Sequence, residues 1–117
     1  MLNTRLLGAM GEQTAARYLR SMGYTIVAAN YKTKVGEIDI VAERDGFICF
    51  VEVKTRKDNG YLPPSAAVGA DKERHIEDSA RIYMNVHKPL LTPRFDIIEV
   101  YTVDGKPVRI NHIENAF

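Results

Sequence analysis

The sequence predicts an α/β layered domain, a mixed β-sheet with helices packed against it, in the order α-β-β-β-α-β-β. Two stretches carry apolar residues at three- and four-residue steps, the period of a helix. Short β-rich runs lie between and after them. Two Asp-Gly pairs, Asp45-Gly46 and Asp104-Gly105, each separate adjacent runs by a two-residue hairpin signal.

The first helix should run from about Asn3 to Met22. Gly8, Gly11, Ala15, Leu19 and Met22 form a stripe that widens from small to large residues, and its small end would let the helix lie close to a sheet. Gly23 is a natural stop. Strands follow at Thr25–Tyr31, Gly36–Ala42 and Phe47–Lys54, the last two joined through Asp45-Gly46. Asn59-Gly60 and Pro63-Pro64 mark a loop. The second helix should cover Asp71 to His87, with Ile76, Ala80, Tyr83 and His87 on one face, and Pro89 and Pro93 ending it. Phe95–Thr102 reads as an apolar strand. A final strand at Val108–Ile113 follows Asp104-Gly105, and Pro107 near its start favours a sheet edge.

Bulk properties narrow the class. A chain of 117 residues can bury a core without covalent staples, and one domain spanning 1–117 is expected. No apolar run approaches the roughly 18–20 residues of a membrane span, and Met1 to Gly8 lacks an apolar signal core. Cys49 is the only cysteine, so no internal disulfide can form and a reducing, cytoplasmic location is expected. Sixteen basic residues against fifteen acidic ones leave a net charge of +1, which is no polycation signature. A metal nuclease offsets its phosphate-binding cations with acidic ligands, so near-neutrality does not decide against one. The chain has no Gly-rich phosphate loop and no Ser-His-Asp or Cys-His arrangement.

The first Asp-Gly hairpin carries the candidate chemistry. With Asp45 and Gly46 central to a tight turn, Arg44 faces Phe47 and Ala42 faces Cys49. Continued outward, this register sets Asp39 opposite Glu52 and Glu37 opposite Lys54, all on one face. Directly opposed residues have Cβ atoms about 4.5–5.5 Å apart, and like charges there destabilise a sheet. A raised pKa, a nearby cation or a bound metal must offset the repulsion. Oxygen ligands suit a hard ion, Mg²⁺ or Mn²⁺. Lys54 on the same face could orient the attacking water or stabilise charge developing on a phosphate. The competing reading is an exposed alternation with Glu37 and Lys54 as an ordinary ion pair. Against it, Asp39 interrupts Ile38-Asp39-Ile40-Val41 and Glu52 follows Ile48-Cys49-Phe50-Val51, apolar contexts in which acids seldom lie buried without a partner.

These residues resemble a known family. Gly36-Glu37-Ile38-Asp39-Ile40-Val41-Ala42, followed by Phe50-Val51-Glu52-Val53-Lys54-Thr55-Arg56, looks like the signature of the YraN-like family of bacterial endonucleases. That family falls in the restriction-endonuclease-like PD-(D/E)xK superfamily and resembles archaeal Holliday-junction resolvases. The similarity extends from Gly8-Ala9-Met10-Gly11-Glu12 through Asn30-Tyr31 and Arg94-Phe95-Asp96 to the C-terminal His112–Phe117. The superfamily's proline before the first aspartate is absent, which is normal within this family.

The resemblance implies a three-layer nuclease fold and Mg²⁺-dependent phosphodiester hydrolysis in DNA, with Mn²⁺ able to substitute. Branched or single-stranded DNA are candidate substrates. It assigns Asp39 and Glu52 as metal ligands, Lys54 as the catalytic lysine and Glu12 as the group completing the metal site. Lys72, four residues before Ile76 and so on the inward face of its helix, matches a lysine near phosphate or site. Glu37 belongs to the motif. Resolvase-like relatives act as dimers on a two-fold symmetric junction, so a homodimer is admissible.

The remaining residues carry weaker signals. Arg56, Lys57, Lys32 and Lys34 flank the motif and could contact phosphate, a solvated loop being as good a reading for each. Cys49 points away from Glu52 and should be core. His75, His87 and His112 lack metal-ligand spacing. Tyr31, Tyr61 and Tyr83 could stack on unpaired bases, although packing is the simpler role. Two alternatives to the nuclease stay open: a nucleic-acid-binding module that keeps the fold without turnover, and a structural or partner-binding protein.

Overall fold

A computed structural model describes residues 3–58, 60 and 69–117, the side chain of Thr4 excepted. Helix α1 (Thr4–Ser21) is followed by strands β1 (Thr25–Thr33), β2 (Gly36–Arg44) and β3 (Phe47–Lys57). Helix α2 (Ala70–His87), β4 (Thr92–Val103) and β5 (Lys106–Ile113) complete the order. The strands form one five-stranded mixed sheet in the order β1-β2-β3-β4-β5. β3 and β4 are parallel and every other pair is antiparallel. Parallel neighbours need a crossover rather than a hairpin, and α2 lies in that connection.

The layered α/β architecture and element order are those expected from the sequence. Both Asp-Gly pairs form the turns they signal, with positive φ at Asp45, Gly46, Asp104 and Gly105. β5, which opens with Lys106-Pro107, is a sheet edge. Strands β3 and β4 run longer than their apolar runs, because polar ends continue to pair. One expectation fails: Pro93 does not end the second helix but lies inside β4. The helix stops at His87, where Lys88 turns left-handed (φ 48°). The loop expected at Asn59 and Pro63-Pro64, and Tyr61, lie outside the described residues.

Alternation along β3 divides the core between two layers. Cys49 and Val51 pack with Ala15 and Leu19 of α1, Ile40 and Ala42 of β2, and Ile98 and Val100 of β4. Ile48 and Phe50 pack on the opposite face with Ala80 and Tyr83 of α2. Tyr31 and Tyr83 meet edge to face at 5.1 Å inside that second layer. The small-residue stripe of α1 works at its middle: a Cβ on Gly11 would stand 2.0 Å from Thr55 Oγ1. Gly8 has open space where its Cβ would be, and Met22 is half exposed, so the stripe does not extend to either end. No described helix is long and apolar enough to cross a membrane.

Candidate metal centre

The predicted register of the β2–β3 hairpin holds from Arg44↔Phe47 to Ile40↔Val51, where the ladder ends. Asp39 and Glu52 are therefore not a ladder pair, and Glu37 does not face Lys54. Glu37 is instead aligned with Lys32 of β1. On the other side of β2, Asn30 of β1 has a left-handed backbone (φ 51°) within a strand that stays paired on both sides of it. Ala29 is aligned with Ile40 and Tyr31 with Ile38. Although only two residues apart, Ile40 packs on the α1 side and Ile38 on the α2 side. Simple alternation therefore does not run through Asp39, and the expectation of a single face for Glu37, Asp39, Glu52 and Lys54 fails with it.

Asp39 sits where the two strands part. Its Oδ2 accepts the Val53 amide hydrogen at 2.8 Å, replacing the carbonyl that a continued ladder would supply. Asp39 also borders two openings. One lies between α1 and β1 and includes Glu12 and Asn30; the other lies on the α2 side and includes Glu37, Glu52, Lys72 and His75.

Four carboxylates converge on this junction. With its amide turned to satisfy the network, Asn30 donates to Glu12 Oε1 at 3.0 Å and to Glu37 Oε1 at 3.1 Å. Glu52 is only 5% exposed, and its Oε1 meets Lys72 Nζ at 2.5 Å. Burial and then the charge of Glu52 push the Asp39 carboxyl up to about 7, against the opposing Val53 hydrogen bond. Burial and the charge of Glu37 raise Glu12 as well, with Asn30 acting in the opposite direction. The cluster thus carries more negative charge than its own cations neutralise.

The sequence profile of the Uncharacterised protein family UPF0102 matches residues 11–100. The chain belongs to that family. A UPF0102 protein of Alkaliphilus oremlandii is 43% identical over 114 residues, covering 95% of this chain and 97% of that one. One from Caldanaerobacter subterraneus subsp. tengcongensis is 43% identical over 119 residues, covering 99% and 98%. One from Trichlorobacter lovleyi is 44% identical over 113 residues, covering 95% and 89%.

Other residues nominated from the sequence fall in different places in this UPF0102 chain. Lys54 follows Glu52 on β3, half-buried, and makes no ion pair among the described residues. Lys72 is where its helix position predicted, one turn before buried Ile76. Arg56 is tied by Nε to buried Glu99 Oε2 at 3.1 Å, so part of its donor set is already committed to the fold. Lys34 is exposed in the β1–β2 turn, and Lys32 and Lys57 are exposed on their strands. Cys49 is fully buried in the α1-side core. His75 borders the α2-side opening. His87 stacks on Tyr83 at 4.2 Å. His112 of β5 is bound to Asp96 of β4, across the sheet from Val51–Val53 of β3.

Asn30 is the site residue that reasoning from the residues missed. Its signal was a turn-prone residue inside a β-rich run, and asparagine is among the residues enriched in the left-handed region.

The donor chemistry fits a hard divalent cation. Asp39 and Glu52 would hold it, with Glu12 reaching the junction from α1. Among the described residues no three acidic, His or Cys groups already stand as a closed ligand set. Mg²⁺ does not require one, because it is commonly held by one or two carboxylates while keeping several waters.

Proposed function

We propose that this UPF0102 protein is a Mg²⁺-dependent nuclease that hydrolyses phosphodiester bonds in DNA. The observation that carries the reading is the mutually repelling pair of half-buried Asp39 and buried Glu52 where β2 and β3 part, reinforced by Glu12 and Glu37. Such a cluster costs stability unless it has a use for a cation. The restriction-endonuclease-like resemblance of the Asp39 and Glu52-Val53-Lys54 motif supports the same chemistry.

When bound, Mg²⁺ or Mn²⁺ supplies Lewis-acid polarisation of a phosphoryl oxygen. Asp39 is held in place by Val53, so one carboxylate oxygen is anchored while the other is left for a ligand. Glu52 is fixed by its burial just past the last β2–β3 pair, on a part of β3 still paired with β4. Lys54 brings a positive charge next to that position, where it can orient the attacking water and stabilise charge developing on phosphate. Hydrolysis forms a P–O bond from water and breaks the P–O bond to the sugar oxygen, which takes up a proton. No redox partner is needed.

A second reading, a nucleic-acid-binding module without turnover, draws on the Lys72–Glu52 contact, in which an internal cation already neutralises one carboxylate. The deciding assay offers duplex, single-stranded, flapped and four-way DNA with Mg²⁺ or Mn²⁺. Cleavage by the wild type that disappears in Asp39→Asn and Glu52→Gln, with DNA binding retained, supports the nuclease. Binding without cleavage under either ion supports the module, and absence of both leaves a structural role.

A further inference from the structure

We propose that the groove between α1 and β1 is a binding channel for single-stranded DNA, with Arg17 and Arg20 as its phosphate contacts. The groove encloses about 440 Å³, within the range of small-ligand sites and suited to one nucleotide rather than a base pair. It is continuous with the candidate metal centre, because Asp39, Glu12 and Asn30 form one end of its lining. What reacts at that end rests on the nuclease reading; the binding channel itself does not.

The two ends of the groove differ in charge. Glu12, Ala16 and Arg20 recur at four-residue steps, with Arg17 three residues before Arg20, so this side of α1 passes from acidic to basic along the groove. Arg17 and Arg20 stand five and eight residues beyond Glu12, about 7.5 and 12 Å along the helix axis at ~1.5 Å per residue. Both are exposed, and neither makes an ion pair among the described residues. Two unpaired guanidiniums beyond the acidic end complement a phosphate backbone leaving the reaction centre.

The floor suits an unpaired base. Ile26, Ala29 and Ile40 of the sheet and Ala16 of the helix make it aliphatic, and no aromatic ring lies among its described lining residues. A base resting there would be held by shape and apolar contact, with little preference among the four. Among the described residues β1 pairs only with β2 and is an edge of the sheet. Ala29 is exposed on that strand, and a larger side chain there would narrow the groove without disturbing the core.

The test is fluorescence anisotropy of a labelled oligothymidylate, and of its duplex with oligoadenylate, in EDTA over a range of salt. Wild type should bind the single strand about tenfold more tightly than the duplex. Arg17→Gln and Arg20→Gln should each reduce the salt-dependence slope by ~0.7, the value for one phosphate contact on a single strand. Ala29→Leu should weaken single-strand binding about fivefold with the slope unchanged, a steric effect rather than an electrostatic one. Lys106→Gln, an equal loss of charge on the far edge of the sheet, should do neither. Equal affinity for duplex, unchanged slopes in both arginine variants, or an indifferent Ala29→Leu would each overturn the channel. Metal-dependent cleavage is scored separately. Cleavage with unaltered binding in the variants sinks the channel and spares the nuclease, whereas the expected binding pattern without cleavage does the reverse.

Discussion

Asp39 illustrates how one side chain can be both well anchored and poorly tolerated. Its carboxylate accepts the Val53 amide, yet burial and Glu52 hold its pKa at about 7. The sign follows from linkage: an aspartate near 3.9 when unfolded and raised when folded costs stability increasingly as pH climbs between those values. Asp39→Asn keeps an acceptor for Val53 and removes the charge. In metal-free buffer at pH 8 it should raise the melting temperature by several degrees, an advantage that vanishes near pH 4. Calorimetry at the two pH values checks this. The converse holds with metal: Mn²⁺ at one hundred times its Kd should stabilise the wild type by about 2.7 kcal/mol and the variant hardly at all. Asp96, also buried, titrates the other way. Burial raises it, but hydrogen bonds from His112, Arg94 and the Asn115 amide outweigh that and leave its pKa lowered. Its contribution is present above the unfolded pKa and disappears as pH falls through the folded one. Asp96→Asn should cost about 3–5 kcal/mol at neutral pH, because Arg94 loses its buried partner. In urea titrations the gap between variant and wild type should close below pH 4.

Among the elements, α1 depends on one close approach. Gly11→Ala puts a methyl group against Thr55 Oγ1 and should destabilise by about 1–3 kcal/mol, displacing Glu12 along with the helix. The double variant with Thr55→Ala should recover most of that loss, a coupling that a denaturant cycle measures. This element was legible in the sequence, since Gly11, Ala15 and Leu19 declare the packed face by spacing alone. The hairpin was legible as far as Ile40 and Val51, because Asp45-Gly46 sets the register from the turn outward. Beyond that point the extrapolation failed. Ile38 and Ile40 pack on opposite faces although two residues apart, and nothing within the hairpin's own sequence records that break in alternation. The acids therefore meet at one junction, but not in the arrangement that the hairpin register predicted. Lys72 was nominated by the family resemblance and set on the inward face by helix periodicity, while its contact with Glu52 needed the packing of α2 against the sheet.

Across the whole molecule, a mixed sheet covered by a helix on each face brings residues from five elements to one junction. α1 contributes Glu12, β1 Asn30, β2 Glu37 and Asp39, β3 Glu52, and α2 Lys72. No single element contains the site, so its chemistry depends on the sheet breaking where β2 and β3 part. The proposed nuclease chemistry requires this junction to receive a divalent cation. Crystals soaked in Mn²⁺ and measured at the manganese absorption edge test it most directly. An anomalous peak should appear between Asp39 and Glu52, with Lys72 moved away from the Glu52 carboxylate. Strong Mn²⁺ sites elsewhere, with the Lys72–Glu52 contact intact and no peak at Asp39, would contradict it.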